Sequence, residues 1–168
     1  MSIGEVERLA ESIINEYKRN KKRNVDKRVV NNFMNRLENL IESEGLTDDV
    51  VKSFVKSNGC AEAIAITITF NRTQLRKLFH QIRRIKMDVK REGDISKVRV
   101  KLAKVHAILA YARGRKLIDE YFYRLMNTMI NKVRESKSEN TFKNTFENFR
   151  DIFESIVAYH VYHNPKEG

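Results

Sequence analysis

The chain has 168 residues and 33% of them are charged, a size that fits one ordinary domain with a real core. One proline and six glycines favour long uninterrupted helices, and 41% hydrophobic residues exclude a disordered polyelectrolyte. The net charge of +11 is concentrated: residues 60–118 hold 15 Lys/Arg against 4 Asp/Glu, while 1–59 hold 11 against 10 and 119–168 hold 7 against 8. A basic excess gathered in one segment points to nucleic acid, an anionic membrane or an acidic protein as partner.

The first predicted helix runs from about Ile3 to Arg19, with Val6, Leu9, Ile13, Ile14 and Tyr17 as its apolar stripe. Glu5, Glu7 and Glu11 sit early, where the helix dipole favours acids. The basic run Lys18-Arg-Asn-Lys-Lys-Arg-Asn follows, either as a solvated helix end or as a contact for RNA. Asp26 is placed to cap a second helix, with Val29, Val30, Phe33, Leu37, Leu40 and Ile41 on one side and Gly45 as its stop. Thr47-Asp-Asp starts a third, shorter helix closed by Asn58-Gly59, and the two resemble a hairpin. Residues 60–70 are ambiguous. Ala61 to Ala65 favour helix, whereas Ile66-Thr-Ile-Thr-Phe alternates like a strand that has no partner elsewhere, so the expectation is a helix or an extended connector.

Residues 70–91 carry a helix start, an apolar stripe and a basic face together. Asn71 and Gln74 have the spacing of a capping box. Leu75, Leu78, Phe79, Ile82, Ile85 and Val89 recur at helical spacing, and Asp88 is the only acid between Arg72 and Arg91. Lys86 lies nearer the apolar stripe, in a position to snorkel. Gly93 and Asp94 then punctuate the chain before a helix with Val98, Leu102, Val105, Leu109 and Ala112 inward, interrupted or kinked at Gly114. Another periodic stretch spans Leu117 to Val133. After a polar connector, Phe142, Phe146, Phe149, Phe153, Ile156 and His160 repeat along the last helix, with Pro165 past its end. The phenylalanines have core spacing rather than that of a base-stacking platform, while Tyr111, beside Arg113 and Arg115, reads as a surface aromatic.

No catalytic constellation is present: no P-loop, no His-Glu-x-x-His and no Gly-x-Ser-x-Gly. His160 and His163 share a helix face but have no carboxylate or thiolate in step with them, so no metal site is expected. Glu147, Asp151 and Glu154 form an acidic line better suited to pairing with Lys143 and Arg150, or to docking a basic neighbour, than to a metal-dependent nuclease site. The lone Cys60 excludes an internal disulfide and suits a reducing compartment. No start resembles a secretory signal, and the longest apolar run, Ala63 to Phe70, falls far short of the roughly 20 residues a spanning helix needs. The expectation is a cytoplasmic protein without membrane contact.

Three stretches in order resemble the small α-helical subunit of type III-A CRISPR effector complexes, the Csm complex. They are Phe70-Asn-Arg-Thr-Gln-Leu-Arg-Lys-Leu-Phe, Leu109-Ala-Tyr-Ala-Arg-Gly-Arg, and Phe149-Arg-Asp-Ile-Phe-Glu-Ser-Ile-Val-Ala-Tyr-His. The first helix with its basic tail also looks like the family's. Asn71 stands where that family usually has threonine, Arg113 where it has alanine, and residues 25–60 look like an added helical hairpin. The resemblance implies a non-catalytic RNA-binding subunit that needs no cofactor. Its expected partners are guide RNA and target RNA, the RNase backbone subunit, the large polymerase-type subunit and neighbouring copies of itself.

The sequence is therefore read as all-α, a single-domain helical bundle of about six helices over 1–168. The resemblance carries Arg76, Lys77 and Arg115 as RNA contacts, and the residue pattern adds Arg72, Arg83, Arg84 and Arg113, all as phosphate-contacting groups. Two rival readings are a purely structural assembly subunit and a helical DNA-binding regulator. The second is weakened by the scarcity of base-reading Asn, Gln or Ser on the basic face.

Overall fold

The computed structural model describes residues 2–21, 24–91 and 95–164. Eight helices lie among them, rather than about six: α1 (Ile3–Arg19), α2 (Lys27–Glu44), α3 (Asp48–Val55), α4 (Cys60–Thr67), α5 (Arg72–Arg91), α6 (Ile95–Gly114), α7 (Glu120–Arg134) and α8 (Glu139–His163). The stretch 60–70, open in the sequence between a helix and an extended connector, holds the short helix α4 as far as Thr67.

Local chemistry sets most boundaries. Ser2, Asp26, Thr47, Asp119 and Ser138 each accept a backbone N–H in the first turn of α1, α2, α3, α7 and α8. Gly45 ends α2 at φ 76°, a left-handed conformation that a side chain would strain. α3 stops at Val55, before the expected Asn58-Gly59, and Asn58 takes φ 59° in the turn that follows. Gly59 is packed so closely that an added Cβ would meet the Ser53 and Lys56 carbonyl oxygens at 2.7 Å. α6 ends at Gly114, and Lys116 turns the chain at φ 59°. The Gly93 break, the Asp94 cap and the Pro165 stop lie outside the described residues, as do Lys22 and Arg23 of the basic run.

Helices α1, α2, α7, α6, α5, α8 and α4 pack in that order around a ring that closes back on α1, while α3 covers α8 and α4. α8 is the longest element at 25 residues, and it also packs across the ring on α7. Phe142, Phe149, Phe153 and Ile156 of α8 are fully buried, joined by Phe33 of α2, Phe54 of α3 and Phe122 of α7 in one apolar cluster that draws on all eight helices. Each such side chain contributes roughly 1.5–3 kcal/mol of transfer free energy. The phenylalanines of α8 are thus core, as their spacing predicts.

α4 resolves the ambiguous stretch. Every residue from Cys60 to Ala65 is buried, so this helix has no polar face and no periodic signal. Burial pushes the Cys60 thiol up to about 12, leaving it protonated at neutral pH. The strand-like residues beyond it form only an isolated antiparallel bridge between Phe70 and Ile118. No described helix is long and apolar enough to cross a membrane.

Candidate nucleic-acid interface

α5 packs chiefly on two neighbours in the ring, α6 on one side and α8 on the other. Leu75, Leu78, Ile82, Ile85 and Val89 are buried between them, and Phe79 is half-buried at the edge. The opposite side faces outward along all 20 residues of the helix. The side chain of Asn71 accepts the Gln74 N–H at 3.2 Å, as the cap spacing predicts. The reciprocal half of the capping box does not form. The Asn71 N–H instead donates to the Leu117 carbonyl at 2.7 Å, which pins the start of α5 to the α6–α7 turn, and Gln74 is buried.

The seven predicted phosphate contacts divide into two groups. Arg76, Lys77, Arg83 and Arg84 are exposed on α5, and no ion pair among the described residues engages them. Arg83 lies 5.7 Å over the Phe79 ring, which holds the guanidinium against the helix surface. The single acid of this helix, Asp88, is taken by Lys101 of α6 at 2.8 Å. The remaining three are partly committed to the fold. Half-buried Arg72 donates to the Asn164 carbonyl at 3.2 Å, tying the start of α5 to the end of α8. Arg113 pairs with Glu120 at 2.6 Å. Arg115 stacks 5.9 Å over Tyr111 and donates to its hydroxyl at 3.3 Å. Tyr111 is 59% exposed, as expected of a surface aromatic.

Two features escaped sequence reasoning. Lys86 and Lys90 of α5 meet Lys143 and Arg150 of α8 around a cavity of about 390 Å³ that Val89, Phe146 and Glu147 also line. The i,i+4 spacing of the two lysines was visible, but their partners lie more than 50 residues away. Arg150 bonds Asp151 at 3.2 Å and Glu147 at 3.6 Å, so much of the acidic line on α8 is spent within its own helix. The second feature is a pairing of His163 Nε2 with Glu62 Oε2 at 2.8 Å, both side chains only 7% exposed. It fastens α8 to α4 and takes His163 away from any shared site with His160, which packs edge-on to Phe70. Among the described residues no group of three or more His, Cys, Asp or Glu is placed to hold a metal ion.

These links bring the start of α5, the α6–α7 turn and the ends of α1 and α8 to one end of the bundle. Tyr17 of α1 meets the His163 ring edge-on at 5.7 Å, which completes the set. A bundle of this composition, with basic α5 facing out, fits a family model. The model described as Csm2 Type III-A matches residues 51–166. The chain belongs to that family. No curated protein and no solved structure matches it. As a Csm2 chain it is a small subunit of a type III-A CRISPR complex. The match begins within α3 and runs through α8, so it takes in the whole of basic α5, while α1 and α2 lie outside it.

Proposed function

We propose that this Csm2 chain is a non-catalytic RNA-binding subunit that lays the outer face of α5 along the guide or target RNA backbone. The observation that carries the reading is a surface with four exposed cations, Arg76, Lys77, Arg83 and Arg84, that no acid among the described residues pairs with. Such a face binds phosphate without reading sequence, and it does so more weakly as salt rises. Arg72, Arg113 and Arg115 flank it from one end and extend the path while holding the fold together. The test is anisotropy of a labelled single-stranded RNA with the Arg83→Ala, Arg84→Ala double variant. The salt slope of log K is expected to flatten by about 1.4, the value for two lost single-strand contacts, with helicity unchanged. Unaltered affinity, in the isolated chain and in the assembled complex, rules the assignment out.

A second role is supported by the outer side of α6. Val100 and Tyr111 are 57% and 59% exposed there, and Met87 of α5 is 58% exposed nearby in the sequence of the same pair of helices. Apolar side chains left outside suit contact with protein neighbours in the complex: the RNase backbone subunit, the large polymerase-type subunit or another copy of this chain. Val100→Asp is expected to lower co-purification with the other subunits and to leave RNA affinity of the isolated chain intact. Normal recovery of the complex with this variant removes the second role.

A further inference from the structure

The end of the bundle that holds the start of α5 also holds a cleft of about 660 Å³ between the ends of α1 and α8 and the α3–α4 turn. Tyr17, Tyr159 and Tyr162 all line it, together with Lys18, Asn58 and His163. We infer that this cleft is a subsite for an unstacked nucleobase of single-stranded RNA. The inference rests on the reading of the chain as an RNA-binding subunit and adds to it a contact with a base rather than with phosphate.

Three observations converge on it. The first is that Tyr162 is 73% exposed at the cleft, its ring meeting that of His163 edge-on at 4.9 Å. An aromatic face open to water is available for stacking, and stacking tolerates any base. The second is rigidity. His163 is anchored by Glu62, whose other carboxylate oxygen accepts the Asn58 N–H at 2.9 Å, so one acid locks both the helix end and the turn that line the cleft. Tyr159 is braced in the same way, its hydroxyl donating to the Val55 carbonyl at 3.4 Å. A preformed aromatic cleft loses little entropy when it is filled. The third is charge. Lys18 sits at the lip, its ammonium donating to the Asn58 side chain at 3.4 Å, and Arg19 is exposed beside it, so phosphates flanking a seated base would meet cations. The Arg72 bond to the Asn164 carbonyl ties the start of basic α5 to the same end of α8.

The experiment compares an oligouridylate with the same strand carrying abasic sites at its centre, both bound to the full chain at one salt concentration. The wild type is expected to prefer the base-bearing strand, and Tyr162→Ala to lose roughly 5- to 100-fold on that strand alone. Tyr162→Phe, which keeps the ring, is expected to keep the preference, and neither variant is expected to alter the salt slope. Equal binding of the two strands by the wild type overturns the cleft and leaves the α5 reading standing. So does a Tyr162→Ala variant that retains the preference or weakens both strands alike. If the wild type binds neither strand, the α5 reading and the cleft fall together.

Discussion

Cations are abundant on two sides of this bundle, and they stand in opposite circumstances. Around α1, α2, α3 and α7 four cations have an acid across from them: Arg36 with Glu5, Lys56 with Glu7, Arg124 with Glu38, and Lys132 with Glu42. On α5 the one acid, Asp88, is claimed by α6, and Arg76, Lys77, Arg83 and Arg84 face water. The two sides differ in how their positive charges are matched. Paired cations cancel within a few ångströms, and their reach beyond one Debye length of about 8 Å is small. Unpaired ones add, and a row of them on a rigid helix presents the repeating charge that a phosphate backbone needs.

The largest test of this difference reverses it. Changing Arg76, Lys77, Arg83 and Arg84 together to Glu turns the open face acidic. RNA affinity is expected to fall by more than about 100-fold, because four favourable contacts become repulsive ones. Since all four side chains are exposed, the thermal midpoint is expected to move little. Anisotropy and a thermal melt on the same preparation check both halves. A loss of affinity accompanied by unfolding would make charge irrelevant to the comparison.

A smaller effect is expected where a buried carboxylate loses one of its two partners. His163→Leu leaves the Glu62 carboxylate, 7% exposed, with the Asn58 N–H alone. Stability is expected to drop by about 1–3 kcal/mol in a urea titration, the cost of a buried polar group stripped of a partner. Glu62→Gln in the otherwise unchanged chain, which can still accept from Asn58 and bond His163, is expected to cost less. An unchanged midpoint for His163→Leu would show that this contact does not fasten α8 to α4.

The sequence carried the helices whose amphipathic signal is local. α1 and α5 begin and end where stripes, charge and, for α5, the Asn71 cap place them, because these residues act within a turn or two. α4 was not legible for a reason that lies in its burial: a helix surrounded by others has no polar face, so Cys60 to Thr67 carries no period, and its β-branched end imitates a strand. The candidate site divides in the same way. The cations of α5 were readable as a group because the helix alone lines them up. That Arg113 would be held by Glu120, or that Tyr17, Tyr159 and Tyr162 would meet around Asn58, depends on chain reversals and on contacts such as Glu62 with His163, 101 residues apart.

Asn71 stands between the two sides of the comparison, because its cap fixes where the basic row begins. Asn71→Ala removes the acceptor for the Gln74 N–H while leaving its own N–H on Leu117, and is expected to cost about 1 kcal/mol. Asn71→Thr keeps a capping oxygen and is expected to cost a few tenths. Hydrogen exchange at Gln74 and Leu75 checks whether the loss is confined to the first turn of α5.

The smallest effect is expected on the paired side, where it is also the most informative. Arg124 and Glu38 lie 2.8 Å apart with 44% and 19% of their side chains exposed, so their attraction is screened and their coupling in a double-mutant cycle is expected at about 0.2–1 kcal/mol. The cycle has a second readout. If pairing is what silences cations in this molecule, Glu38→Ala exposes Arg124 as a new open positive charge, and RNA binding of that single variant is expected to rise slightly with a steeper salt dependence. Arg124→Ala opens Glu38 instead and is expected to weaken binding slightly, while the double variant is expected to leave it unchanged. The direction matters more than the size, since no change in total basic content accompanies Glu38→Ala: only an acid is lost. A variant that lost an acid near α5 and one that lost it here would then differ in affinity by their distance from the bound strand. Equal gains from the two positions would mean that net charge, and not the open face of α5, governs binding.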